Sequence, residues 1–209
     1  MMAAAAGALR GTGCLSAGSA ALFVCDVQER FRPIIAGFPG VIDVTRRMVR
    51  GAGVLGLPVL VTEQYPERLG ATVSEVREAL PAAAPVIPKT LFSMVTPQVQ
   101  DFLKAHSAVK QVLICGIETH VCVLQTSLDL LDLGYEVHVV VDGASSQRLT
   151  DRETGLARMA QSGVFLVTSE MALFQLTKDA KAPRFKEVSA LVREPRPDDL
   201  LLPGLAARL

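Results

Sequence analysis

What the chain lacks narrows it first. Its four cysteines, Cys14, Cys25, Cys115 and Cys122, form no C-x-x-C pair. That removes the zinc-site and disulfide-framework readings and fits a reducing compartment. Neither sign of charge is in surplus, since 21 Lys and Arg balance 21 Asp and Glu. A basic footprint for nucleic acid and an acidic solvating tail are therefore both without support. No apolar run approaches the roughly 18 residues of a membrane span. No G-x-x-x-x-G-K-[ST] loop occurs, and no G-x-G-x-x-G follows the first apolar run, which counts against nucleotide-cradling folds.

What is present suits one globular domain with a sizeable core: 209 residues, 50% hydrophobic and 20% charged. Residues 1–18, small-residue rich with a single Arg10, read as a disordered leader or a weak transit peptide. Residues 19–195 read as the domain, and 196–209 as a Pro-rich, then apolar, tail suited to docking on another subunit. The expected location is cytoplasmic, with the mitochondrion as the alternative.

Apolar runs at 20–27, 58–62, 112–115, 136–142 and 164–168 read as buried strands, each covered on both faces. Amphipathic segments at 41–56, 96–105 and 149–163 read as helices between them, with shorter ones elsewhere. This alternation predicts a three-layer α/β/α sandwich on a mostly parallel, six-stranded, Rossmann-like sheet. His138, between valines in mid-strand, reads as a core histidine.

Three side chains stand out chemically. Asp26 follows the first strand, where open α/β sheets bind their ligands, although turn and cap roles are also common for Asp. Lys89 lies in an apolar turn, Val86 to Met94, where poor solvation suits a charge partner; a snorkelling surface lysine is the ordinary alternative. Cys122 follows a strand that Gly116 breaks and falls near a helix N-terminus, where unpaired N–H groups favour a thiolate. A small buried hydrophobe would occupy the same place.

The segments CDVQERF, PKTLFSM and GIETHVCV together resemble the isochorismatase-like cysteine hydrolase family. TEQYPERLG, SLDLLDLGYEVHVVVD and TSEMALFQLTKDA extend the resemblance over nearly the whole chain after the leader. It implies a catalytic set of Asp26, Lys89 and Cys122, with Asp26 as general acid/base, Lys89 as the positive charge and Cys122 as a thioester-forming nucleophile. It also implies a cis Ile117–Glu118 peptide and an oxyanion hole built from the N–H groups of Glu118 and Cys122. A small amide, imide or related carbonyl compound is the expected substrate. Gln28, Phe31, Tyr65, Phe92 and His120 are candidates for its pocket, with core packing the alternative for the aromatics. No cofactor or metal is expected: family nicotinamidases hold zinc after the second strand, but Glu63-Gln64-Tyr65-Pro66 here contains no histidine. True isochorismatases cleave a vinyl ether, and some relatives lack the cysteine that this chain keeps. A dimer or tetramer fits the family's habit.

Three rivals can be weighed. His120 as a base for Cys122 is disfavoured, because a two-residue helical spacing points side chains apart. Ribonuclease activity finds no paired histidines, with His106, His120 and His138 in unlike contexts. A non-catalytic interaction module on a retained hydrolase fold has no use for all three of Asp26, Lys89 and Cys122.

Overall fold

The computed structural model describes residues 11–195. The first ten residues of the expected leader and the expected tail, 196–209, lie outside the described residues. Six strands form one all-parallel sheet: β1 (Ala20–Cys25), β2 (Val59–Gln64), β3 (Val86–Lys89), β4 (Gln111–Ile117), β5 (Glu136–Ser145) and β6 (Phe165–Val167). Eight α-helices among the described residues connect or follow them: α1 (Phe38–Leu55), α2 (Pro66–Leu69), α3 (Ser74–Arg77), α4 (Pro97–Ala105), α5 (Leu124–Asp132), α6 (Leu149–Ser162), α7 (Ser169–Thr177) and α8 (Phe185–Val192).

The sheet separates two cores, and strand alternation assigns residues to them. Leu22 and Val24 of β1 face α1, α7 and α8, with Val59, Val61, Leu113 and Cys115. Ala21, Phe23 and Cys25 face α4, α5 and α6, with Leu60, Val112, Ile114 and Cys122. Every residue of β1 is buried, which is why the segment carries no polar alternation.

Strand order is β3-β2-β1-β4-β5-β6. The chain builds outward from β1 to β3, then returns to place β4 beside β1. That reversal makes β1/β4 the topological switch point, and the carboxyl ends of those two strands flank a crevice.

Several boundaries differ from the sequence reading, each for a local reason. Helix α1 begins at Phe38, before Val41, because Pro39 fits a first turn instead of breaking it. Lys89 is not in a turn but ends β3, an edge strand whose position tolerates Pro88. Gly116 does not stop β4. It lies inside the strand at φ +123°, where a Cβ would sit 2.0 Å from the Cys25 carbonyl oxygen. Strand β5 runs on through Ser145 because its pairing with β4 shifts register between Ile114 and Gly116. Arg152 of α6, fully buried, supports this irregular stretch by donating to the carbonyls of Val141 and Ala144. Thr96 caps α4, its hydroxyl accepting from Val99 N–H.

Candidate active site

Because all strands are parallel, the ends of β1, β2, β3 and β4 deliver side chains to one edge. Asp26 follows β1 at φ +54°, a left-handed conformation uncommon outside glycine, though Asp tolerates it better than most residues. This turn keeps the carboxyl group buried at the switch point. Thr62 of β2 holds it: the hydroxyl donates to Asp26 Oδ1 at 2.7 Å, and the Thr62 carbonyl accepts from Asp26 N–H at 3.2 Å.

Lys89 Nζ donates to Asp26 Oδ2 at 2.7 Å, to Gln64 Oε1 at 2.7 Å, and to the carbonyls of Phe92 at 3.0 Å and Leu91 at 3.1 Å. A buried ammonium is tolerable only with such partners. Burial alone would lower its pKa. The Coulombic pull of the groups around it, the Asp26 carboxylate among them, outweighs that and holds the group above its ordinary value, as an ammonium.

Cys122 reaches the same place from β4. The Ile117–Glu118 peptide is cis, as the resemblance implies. A wide turn of π type over Thr119–Val123 then leads into α5. Cys122 is 7% exposed, and its side chain neighbours that of Cys25 in the same core. Gly155 of α6 lets that helix close on the turn, since a Cβ there would lie 2.9 Å from the His120 Cα.

The structure thus brings Asp26, Lys89 and Cys122 together. The candidate pocket residues divide. Gln28 is fully buried as a clamp: both amide donors go to the carbonyls of Gln64 (3.0 Å) and Gly70 (2.6 Å), and its oxygen accepts from Gln64 N–H. Phe31 packs against the core beside α1. Tyr65 is exposed, under the Arg68 guanidinium, and lines a cavity of about 420 Å³ with Lys89, Leu91 and Thr96. Phe92 is exposed, and its carbonyl binds Lys89. His120 Nδ1 lies 3.0 Å from Ser146 Oγ, and His120 lines a polar cavity of about 250 Å³ with Glu118, Arg148 and Asp151. His138 is buried, 2.9 Å from Glu136 Oε1 and stacked on Phe165. Among the described residues, no group of three or more His, Cys, Asp or Glu is placed to hold a metal.

Sequence reasoning missed Thr62, Gln64 and Cys25. The first two alternate at the end of β2, on the Asp26 side. Their signal was a pair of polar residues two apart closing an otherwise apolar strand.

An all-parallel sheet in this order, with an acid, an ammonium and a thiol at its switch point, has the layout of an isochorismatase-like hydrolase fold. The Isochorismatase domain model matches residues 20–171, so the chain belongs to the isochorismatase family. It is 52% identical over 184 residues to mouse isochorismatase domain-containing protein 2A, covering 88% of this chain and 87% of that protein. The structure of the Caenorhabditis elegans protein called MAR1 ribonuclease superposes with a TM-score of 0.86 at 45% identity, over 90% of this chain and 97% of that one. The Escherichia coli YcaC product, an octameric hydrolase of unknown specificity, shares the fold at a TM-score of 0.75 and 24% identity, over 88% and 89% of the two chains.

Proposed function

We propose that this chain is a cysteine hydrolase acting on a small amide, imide or related carbonyl compound through Asp26, Lys89 and Cys122. One observation carries the reading: the buried Lys89 ammonium, 2.7 Å from Asp26 and within Coulombic reach of Cys122, at the switch point of the sheet. Asp26 accepts the Cys122 thiol proton while Lys89 offsets the negative charge. The sulfur attacks the carbonyl carbon, and the N–H groups of Glu118 and Cys122 receive the oxyanion. Collapse forms a thioester and expels the amine, which takes the proton from Asp26. Water then cleaves the thioester, with Asp26 as base, releasing the acid and the free thiol.

The ribonuclease name belongs to the nematode relative. In this chain His138 is buried and His106 is engaged by the Phe102 carbonyl, so no pair of histidines meets at the site. The four cysteines are free, which fits the reducing cytoplasm or the mitochondrion. The octameric E. coli homologue and the exposed Leu91 and Phe92 support a homo-oligomer.

The test is an acid-quenched reaction with a panel of small amides and imides, read by intact mass. An acyl adduct on Cys122, absent with Cys122→Ala, is expected. Hydrolysis persisting in Cys122→Ala overturns the proposal.

A further inference from the structure

The hydrolytic reading gives no role to Cys25, yet this thiol sits inside the site. It ends β1 immediately before Asp26, is fully buried, and donates to Asp26 Oδ2 at 3.7 Å. Strand alternation turns it toward α4, α5 and α6, into the core that also contains Cys122. Cys115 points into the other core, across the sheet, and Cys14 is exposed elsewhere. Of the four thiols, only Cys25 and Cys122 therefore share one core as neighbours. Gly116 of β4 pairs with Cys25 itself, and the turn that carries Cys122 follows from that strand.

From this juxtaposition we infer that Cys25 and Cys122 are a peroxide-reactive dithiol, closing to a reversible disulfide when a small hydroperoxide enters the site. Cys122 reacts first, because it keeps an opening to solvent that Cys25 lacks. Its sulfur takes one peroxide oxygen, giving Cys122 sulfenic acid, while the O–O bond breaks and the other oxygen leaves as an alcohol or water. Cys25 then attacks the sulfenic sulfur. Asp26, already in contact with the Cys25 thiol, accepts its proton and passes it to the departing hydroxide, so one water leaves as the S–S bond forms. In sum, two thiols lose two electrons and one hydroperoxide gains them. Burial pushes the Cys25 thiol well above its usual range, so it waits protonated instead of competing for the peroxide. A disulfide here ties up Cys122 and spares it from irreversible over-oxidation.

The inference shares Asp26 and Cys122 with the proposed hydrolysis but not its reaction, and its readout needs no substrate. Full-length Cys14→Ser protein is titrated with hydrogen peroxide, digested with trypsin and mapped by mass spectrometry. Peptide 11–30 then carries Cys25 as its only thiol. The expected product is a crosslink between Cys25 and Cys122, with free thiols falling from three to one and returning with dithiothreitol. In Cys25→Ser or Cys25→Ala, Cys122 instead goes on to sulfinic acid at several-fold lower peroxide. Absence of the crosslink from the Cys25-containing protein, with Cys122 either inert or over-oxidised as fast as in the Cys25 variants, overturns it. The crosslink in the Cys25-containing protein decides the matter even if neither variant folds.

Discussion

Lys89 Nζ and Asp26 Oδ2 are 2.7 Å apart, and the two side chains are 0% and 1% exposed. Such a pair is poor evidence of stability, since burying each charge costs several kcal/mol, but breaking it from one side is expensive. Lys89→Met is expected to destabilise the protein by about 3–5 kcal/mol in urea unfolding, because Asp26 is left as an unpaired buried charge. The double variant Asp26→Asn/Lys89→Met is expected to lose less than the sum of the two single losses. Strict additivity would mean the pair is not coupled.

Gly116→Ala tests the close approach that builds the site. The new Cβ would meet the Cys25 carbonyl oxygen at 2.0 Å, on a backbone at φ +123°. Conformational strain and overpacking cost about 1–3 kcal/mol each, so a loss of about 2–6 kcal/mol is expected. Chemical denaturation measures it, and a loss below 1 kcal/mol would contradict the geometry.

The acid limb of stability is expected to involve His138. Burial is the largest influence on this ring and lowers its pKa; Glu136 opposes that without reversing it. The folded protein therefore holds a neutral ring, while the unfolded chain takes up a proton at the ordinary value of 6.5. This contribution is fully present above that pH and is lost as pH falls through the lower folded value. A melting-temperature profile should decline below pH 6.5, and His138→Phe should flatten that decline.

A smaller effect belongs to Arg32 and Glu75, which join the turn after β1 to α3 at 2.7 Å. The Arg32 guanidinium holds Glu75 down at about 2. Its contribution is present above the ordinary value of 4.5 and is lost as pH falls toward that lower value. Both side chains are more than a third exposed, so Glu75→Gln should cost at most about 1 kcal/mol, and less in high salt.

The layers and the alternation of strands with helices were legible in the sequence, because fully buried strands leave strong local signals. The Asp26–Lys89–Cys122 set came from the family resemblance of three segments, since each side chain alone had an ordinary structural alternative. Strand ends were less legible. Gly116 read locally as a breaker, yet it continues a strand through its pairing with Cys25, far along the chain. Thr62 and Gln64 gave only a weak pattern, since their roles exist only once β2 lies beside Asp26 and Lys89. Gln28 looked available to a ligand; its partners Gln64 and Gly70 lie 36 and 42 residues away. The Cys25–Cys122 contact likewise depends on β4 pairing with β1.

The central claim is that Cys122 is a primed nucleophile, and its alkylation at pH 7 tests this most directly. Iodoacetamide modification of each cysteine would be followed by peptide mass spectrometry. Cys14 is exposed and sets the rate of an ordinary thiol, while Cys115, pushed up to about 12 by burial, should stay unmodified. Cys122 is expected to react faster than Cys14 despite being only 7% exposed. A Cys122 slower than Cys14 would contradict the account.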